Sequence, residues 1–209
     1  MFASFNRVAI TLAIIAALSA CVSVGRDFAR PNMESLRSSS PNYEQIRSKY
    51  GKPWAERSIT TNGKNITQLS YGFGTNKVRP HKGDGVSTRT MEYYFYNNVM
   101  VGYNYFSSMQ QDHTDFDDSK RNAIVNKKTT RAEVVALLGA PSGFRIYPMI
   151  STTSGEAAEY MHIDYTKDQN YKISTVRNLL VTYDVAGVVQ DANYSTKTSK
   201  KPLDTSLNN

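Results

Sequence analysis

The chain of 209 residues has one cysteine, Cys21, so it can close no internal disulfide and build no thiolate cage for a metal. It has a single tryptophan and three histidines, His81, His113 and His162. The histidines are scattered and show no His-x-x-x-His spacing, so no metal centre is expected. Lysine and arginine outnumber the acids by 25 to 18, a net charge of +7, but no run of like charge forms a stripe. Nucleic acid is therefore not expected as a partner. Gly72-x-Gly74 and Gly83-x-Gly85 lack a strand-to-helix context and read as loop glycines, not phosphate cradles. No cofactor is implied.

What the sequence does have begins at its N-terminus. Arg7 is followed by an apolar segment, Val8 to Leu18, broken by Thr11. This is too short for a bilayer span, which needs about 20 residues. It fits an export signal ending in small residues. Taken alone, Cys21 is a buried thiol, a nucleophile, half of an intermolecular disulfide or an attachment point. Leu18-Ser19-Ala20-Cys21 resembles the lipobox of bacterial lipoproteins. The resemblance implies that the signal is cut before Cys21, that its thiol takes a diacylglyceryl group and that its new amine is acylated, with palmitate among the acyl chains. Residue 22 is Val, not Asp, which in that family implies passage to the outer membrane. The expected location is the periplasmic face of the outer membrane. Several acyl chains hold firmly, each buried CH₂ contributing about 0.8 kcal/mol.

A second feature is internal similarity. Gly51 recurs as Gly139 and Pro53 as Pro141, an offset of 88 residues. The same offset pairs Phe28 with Phe116, Ile46 with Val134 and Arg89 with Arg177, and Met91, Tyr93 and Phe95 with Leu179, Val181 and Tyr183. Each copy predicts a short helix (about 33–38, then 119–125) and a second helix from Pro41 or Thr130, with Ser40 as one N-cap and Thr130-x-x-Glu133 as a capping box. Gly51 and Gly139 then sit at the helix ends, where glycine is favoured. Strands follow at about 66–73, 89–96 and 99–106, and at about 158–166, 176–184 and 187–195, with hairpin turns at Asn97-Asn98 and near Gly187.

The expected fold is α+β, two tandem ααβββ units, each a helix pair packed on a three-stranded antiparallel sheet. The expected divisions are a signal peptide at 1–20, a lipidated tether at 21–27, a first unit at 28–108, an acidic connector at 109–118, a second unit at 119–195 and a frayed polar tail at 196–209. Six residues, Val22 to Asp27, separate the anchor from Phe28. They reach about 20 Å at most, so the expected domain works close to the membrane.

Thr130-x-x-Glu-Val-x-x-Leu-Leu-Gly-x-Pro141, with the later Tyr183-Asp-x-x-Gly-x-Val189, resembles the SmpA/OmlA/BamE family of outer-membrane lipoproteins. A tandem of such units resembles the architecture of secreted β-lactamase inhibitor proteins, which grip a partner with a concave sheet. The first resemblance implies a role as an accessory in an envelope assembly. The second implies, as an alternative, an inhibitor or immunity-type protein that blocks a periplasmic or secreted enzyme.

No catalytic constellation emerges. His162 and Asp164 share a strand face, but no nucleophile elbow accompanies them, and a half-exposed strand histidine is expected. Asp112, Asp115, Asp117 and Asp118 lack the glycine and distal acid of a calcium loop and read as a solvated linker. The chain is not expected to be an enzyme. Its conspicuous residue is tyrosine, present 14 times. Strand alternation places Tyr94, Tyr96, Val101, Tyr103 and Tyr105 on the outward face of the first hairpin. There they form a surface for an envelope protein partner, or a face buried inside the molecule, or cross-strand pairs that stabilise the hairpin.

Overall fold

The computed structural model describes residues 23–83 and 86–203. The signal segment and Cys21 lie outside the described residues. The chain forms β1 (Ser23–Gly25), α1 (Met33–Ser39), α2 (Tyr43–Tyr50), β2 (Ala55–Thr61), β3 (Lys64–Thr75), β4 (Ser87–Tyr96) and β5 (Val99–Ser107). A 3₁₀ turn (Asp118–Ala123), α3 (Arg131–Leu138), β6 (Gly143–Arg145), β7 (Glu156–Lys167), β8 (Tyr171–Tyr183) and β9 (Val189–Pro202) complete it.

The expectation of two tandem ααβββ units is overturned. All nine strands among the described residues belong to one antiparallel sheet, in the order β1-β3-β4-β5-β6-β7-β8-β9, with β2 also paired to β3. The three-residue β6 makes the difference. Gly102 and Asn104 of β5 pair with Arg145 and Gly143, and these pair in turn with Ala157 and Glu159 of β7. That bridge satisfies the inner edges of both halves and leaves no separate three-stranded sheets. The second half also lacks a helix pair, since Asp118–Ala123 is 3₁₀ and only α3 is an α-helix there.

Local signals fared unevenly. Thr130 and Glu133 form the expected capping box. Ser40 is not an N-cap; it ends α1 at φ 39°, and Asn42 caps α2 with Gln45 closing the box. Gly51 and Gly139 end their helices at φ 80° and 82°, which only glycine adopts without strain. Asn97 and Asn98, both at positive φ, turn β4 into β5 as expected. Asn62-Gly63, at φ 49° and 70°, makes a second such turn between β2 and β3. The tail is not frayed at its start: β9 pairs with β8 as far as Pro202. Gly72 and Gly74 are in β3, not in a loop.

The helices lie on one face of the sheet. α1 and α2 bring Leu36, Ile46, Tyr43 and Tyr50 down on Leu69, Tyr71, Met91, Tyr93, Phe95, Tyr103 and Tyr105. α3 brings Val134 and Leu138 down on Ala158, Tyr160, Leu179, Val181 and Tyr183. Burying such side chains fully contributes roughly 1.5–3 kcal/mol each. Aromatic rings interlock beneath α2, with centroids 5.8 Å apart for Tyr50–Tyr93 and 5.2 Å for Tyr93–Tyr103.

Candidate partner-binding surface

The structure splits and buries the tyrosine patch expected to face outward. Tyr94, Tyr103 and Tyr105 are between 0 and 6% exposed, Val101 is buried and Tyr96 is half-buried. The physical reason is a β-bulge. Tyr94 pairs with Gly102 but Phe95 pairs with Met100, so Val101 is the extra residue. One extra residue reverses the alternation of everything after it. Tyr103 and Tyr105 therefore point into the core beneath α1 and α2. Tyr94, Tyr96 and Val101 stay on the helix-free face, where Ile146 and Met149 of the β6–β7 loop cover them. Asn62 fixes that loop by donating to the carbonyls of Pro148 and Ile150 at 3.0 and 2.9 Å. Burial pushes the phenol of Tyr103 far above its ordinary pKa, and its hydroxyl has no hydrogen-bond partner among the described residues.

The rest of the helix-free face is open around Trp54. Its indole lies over Gly72, where a Cβ would come within 3.6 Å of Nε1. Val86 covers Gly74 in the same way, its Cγ1 3.4 Å from where a Cβ would be. Two glycines in register make a bare strip of strand on which two apolar side chains rest. Both remain uncovered: Trp54 is 67% exposed and Val86 60%. Beside them the face turns polar. Gln68 donates to Glu92 at 2.8 Å, Tyr94 donates to Glu92 at 2.6 Å, and the Arg145 guanidinium is 5.9 Å from the centre of the Tyr94 ring. Arg145 then pairs with the buried Glu159, which Asn178 also reaches at 2.6 Å.

The acidic connector is not a solvated linker. Asp112 accepts from Arg89 at 3.0 Å, Tyr105 at 2.7 Å and Ser107 at 2.7 Å. Asp115 pairs with Lys82 and with Arg177, the latter at 2.6 Å. Burial opposes the charge on Asp115, but Lys82 and Arg177 outweigh it and hold its pKa at about 2. The three histidines gather near this carboxylate. His81 and His113 stack with ring centroids 3.5 Å apart, and His81 Nε2 is 3.7 Å from Asp115. His162 packs on Phe106 and lies 3.6 Å from Asp164. It is not half-exposed as expected but 2% exposed. Burial drives its pKa down to about 4 against the pull of Asp115 and Asp164.

That burial closes the His162–Asp164 pair to a substrate. Glu159 and His162 have a Glu-x-x-His spacing, but on a strand positions i and i+3 point to opposite faces. Among the described residues no cluster of three His, Asp, Glu or Cys side chains is arranged to hold a metal ion, and no helix is long and apolar enough to cross a membrane.

No protein-family model and no curated protein matches the sequence, so the SmpA/OmlA/BamE resemblance gains no support from families. Among solved structures, one from Streptococcus mutans described as a "putative beta-lactamase inhibitor protein" is similar, with a TM-score of 0.38 and 11% identity over 74% of this chain and 82% of that one. A likeness this distant carries no argument about activity or partner.

The exposed Trp54 was not among the residues singled out from the sequence. Its signals were Pro53, which blocks continuation of α2, and the glycine pair at 72 and 74 on a strand. Glycines inside a strand mark close approach of another group, here the indole.

Proposed function

We propose that the protein is a non-enzymatic binding module. Anchored through acylated Cys21 at the periplasmic face of the outer membrane, it holds an envelope protein partner against the helix-free face of its sheet. The observation that carries this reading is Trp54, a large aromatic side chain left 67% exposed on a glycine floor beside exposed Val86. Tryptophan is enriched among residues that dominate binding energy, and a rigid ring on a flat support loses little entropy on contact. Beside it on the same face Glu92 is already fixed by hydrogen bonds from Gln68 and Tyr94 and would meet a partner without reorganising.

The test is site-specific photo-crosslinking from position 86 in the intact envelope, with Trp54 or with Trp54→Ala. A discrete crosslinked protein that disappears with Trp54→Ala, while the fold is retained, supports the reading. Crosslinks that do not depend on Trp54 sink it. A captured enzyme that loses activity on binding would turn the reading to the inhibitor alternative.

A further inference from the structure

Three lysines stand directly side by side across three strands. Lys167 of β7 pairs in register with Lys172 of β8, and Lys172 pairs with Lys201 of β9. Cross-strand neighbours point to the same face, here the helix-free one, and adjacent strands are about 4.8 Å apart. Three ammonium groups therefore share about 10 Å of surface. Like charges directly opposite each other destabilise a sheet. Two rows away on the same face, Lys197 lies beside Val176, and Tyr165, 51% exposed, sits between the two rows.

Among the described residues no ion pair engages the row. The lysines found in ion pairs there are Lys82 and Lys120. Asp164 is committed to Arg177, while Asp168, in the hairpin turn beside the row, accepts from the N–H groups of Asn170 and Tyr171 and sets one negative charge against three positive ones. Lysines on an edge strand discourage pairing with another sheet, which accounts for those on β9. It does not account for Lys172, on an interior strand between two other lysines.

The position of the row matters as much as its charge. Ser23 pairs with Thr75, Thr75 with Ser87, and Arg89 with Ser107. Following the antiparallel order through β6, the start of β1 and the ends of β5, β7 and β9 all lie at one end of the sheet. Ser23, two residues after Cys21 in the sequence, therefore lies at the same end that carries the lysine row.

We propose that the Lys167–Lys172–Lys201 row is a footing that docks this end of the sheet on an anionic phospholipid surface. The acyl chains hold one side of the end and the lysines steady the other. This rests on the reading of Cys21 as lipidated. Basic residues near an anionic leaflet each strengthen attachment roughly fivefold, so the row shifts the docking equilibrium on the order of a hundredfold. Phosphate-bearing headgroups supply the charge that the sheet itself leaves unbalanced.

The test uses the full protein purified from membranes. Mass spectrometry of the Cys21 peptide first reports acylation. The protein is then placed in vesicles of phosphatidylcholine, with or without phosphatidylglycerol, and its lysines are modified with an amine-reactive reagent. The expected result is several-fold slower modification of Lys167, Lys172 and Lys201 on the phosphatidylglycerol vesicles. Lys49 on α2 should be unchanged, and the protection should vanish at high salt. Equal modification on both vesicles with Cys21 acylated overturns the footing and leaves the anchor standing. Should Cys21 carry no lipid, the anchor fails, and cosedimentation with phosphatidylglycerol vesicles still decides the footing. Protection by soluble polyglutamate but not by vesicles overturns the membrane in favour of an acidic polypeptide.

Discussion

Arg145 and Glu159 meet as a two-pronged ion pair on the helix-free face, Nε to Oε2 at 2.9 Å and Nη2 to Oε1 at 2.6 Å, with the Glu159 side chain 1% exposed. Removing one partner leaves the other charge buried and uncompensated, at a cost of about 3–5 kcal/mol. Glu159→Ala is therefore expected to lower the midpoint of urea unfolding sharply. The double replacement Arg145→Met/Glu159→Leu should recover most of that loss, because the desolvation cost disappears with both charges. Urea titrations of the two variants against the parent check this. Additive losses in the double variant would show that the pair is not coupled.

Two tyrosine hydroxyls separate packing from hydrogen bonding. Tyr71 donates to the carbonyl of Gly51 at 3.2 Å at the end of α2, whereas Tyr103 has no partner for its hydroxyl among the described residues. Tyr71→Phe should cost about 1 kcal/mol through the lost bond, and Tyr103→Phe should be neutral or stabilising, since a buried unpaired hydroxyl is itself a penalty. Truncation differs: Tyr103→Ala opens a cavity and should cost about 3–5 kcal/mol. Thermal melts of the three variants rank them. A destabilised Tyr103→Phe would contradict this account.

The outcome at the tyrosines shows what was legible in the sequence. Strand alternation correctly placed Met91, Tyr93 and Phe95 on the core face, because β4 is regular there. It misplaced Tyr103 and Tyr105 because the extra residue at Val101 leaves no mark in composition, and every side chain beyond it changes face. The three-residue β6 was likewise invisible, having too few positions to show a period, yet it joins the sheet. β2 was hidden by its polar edge sequence, although Asn62-Gly63 marked its turn. Capping residues such as Thr130 and Glu133 were legible because they act within one turn of their own sequence. The roles of Asp112 and Asp115 were not, because their partners Arg89 and Arg177 are far along the chain.

Acid should destabilise the protein in two stages. His162 is held neutral by burial, with its pKa lowered to about 4 from an ordinary 6.5. Between those values the unfolded chain binds the proton and the folded chain does not, so stability falls as pH drops through this window, by about 2–3 kcal/mol in all. His113, also lowered by burial and by His81, adds in the same direction. Asp115, held at about 2, contributes stability that is present above the ordinary carboxylate range and is lost below it, toward pH 2. Urea midpoints measured from pH 7.5 to 5 should decline in the parent and decline less in His162→Gln. An unchanged slope in the variant would remove His162 as the cause.

Trp54 makes the proposed surface directly observable. As the single tryptophan, 67% exposed, it should emit at the long wavelength of a solvated indole and be quenched readily by acrylamide. It is 67% exposed with its indole resting on Gly72, so Trp54→Ala should change stability by no more than about 0.5 kcal/mol, the range of surface substitutions. Contact with a partner across this face would exclude water from the ring, shift emission to shorter wavelength and protect it from quencher. A partner that binds tightly yet leaves the emission and quenching of Trp54 unaltered engages a different surface, and the helix-free strip at Gly72 and Gly74 would then be no recognition site.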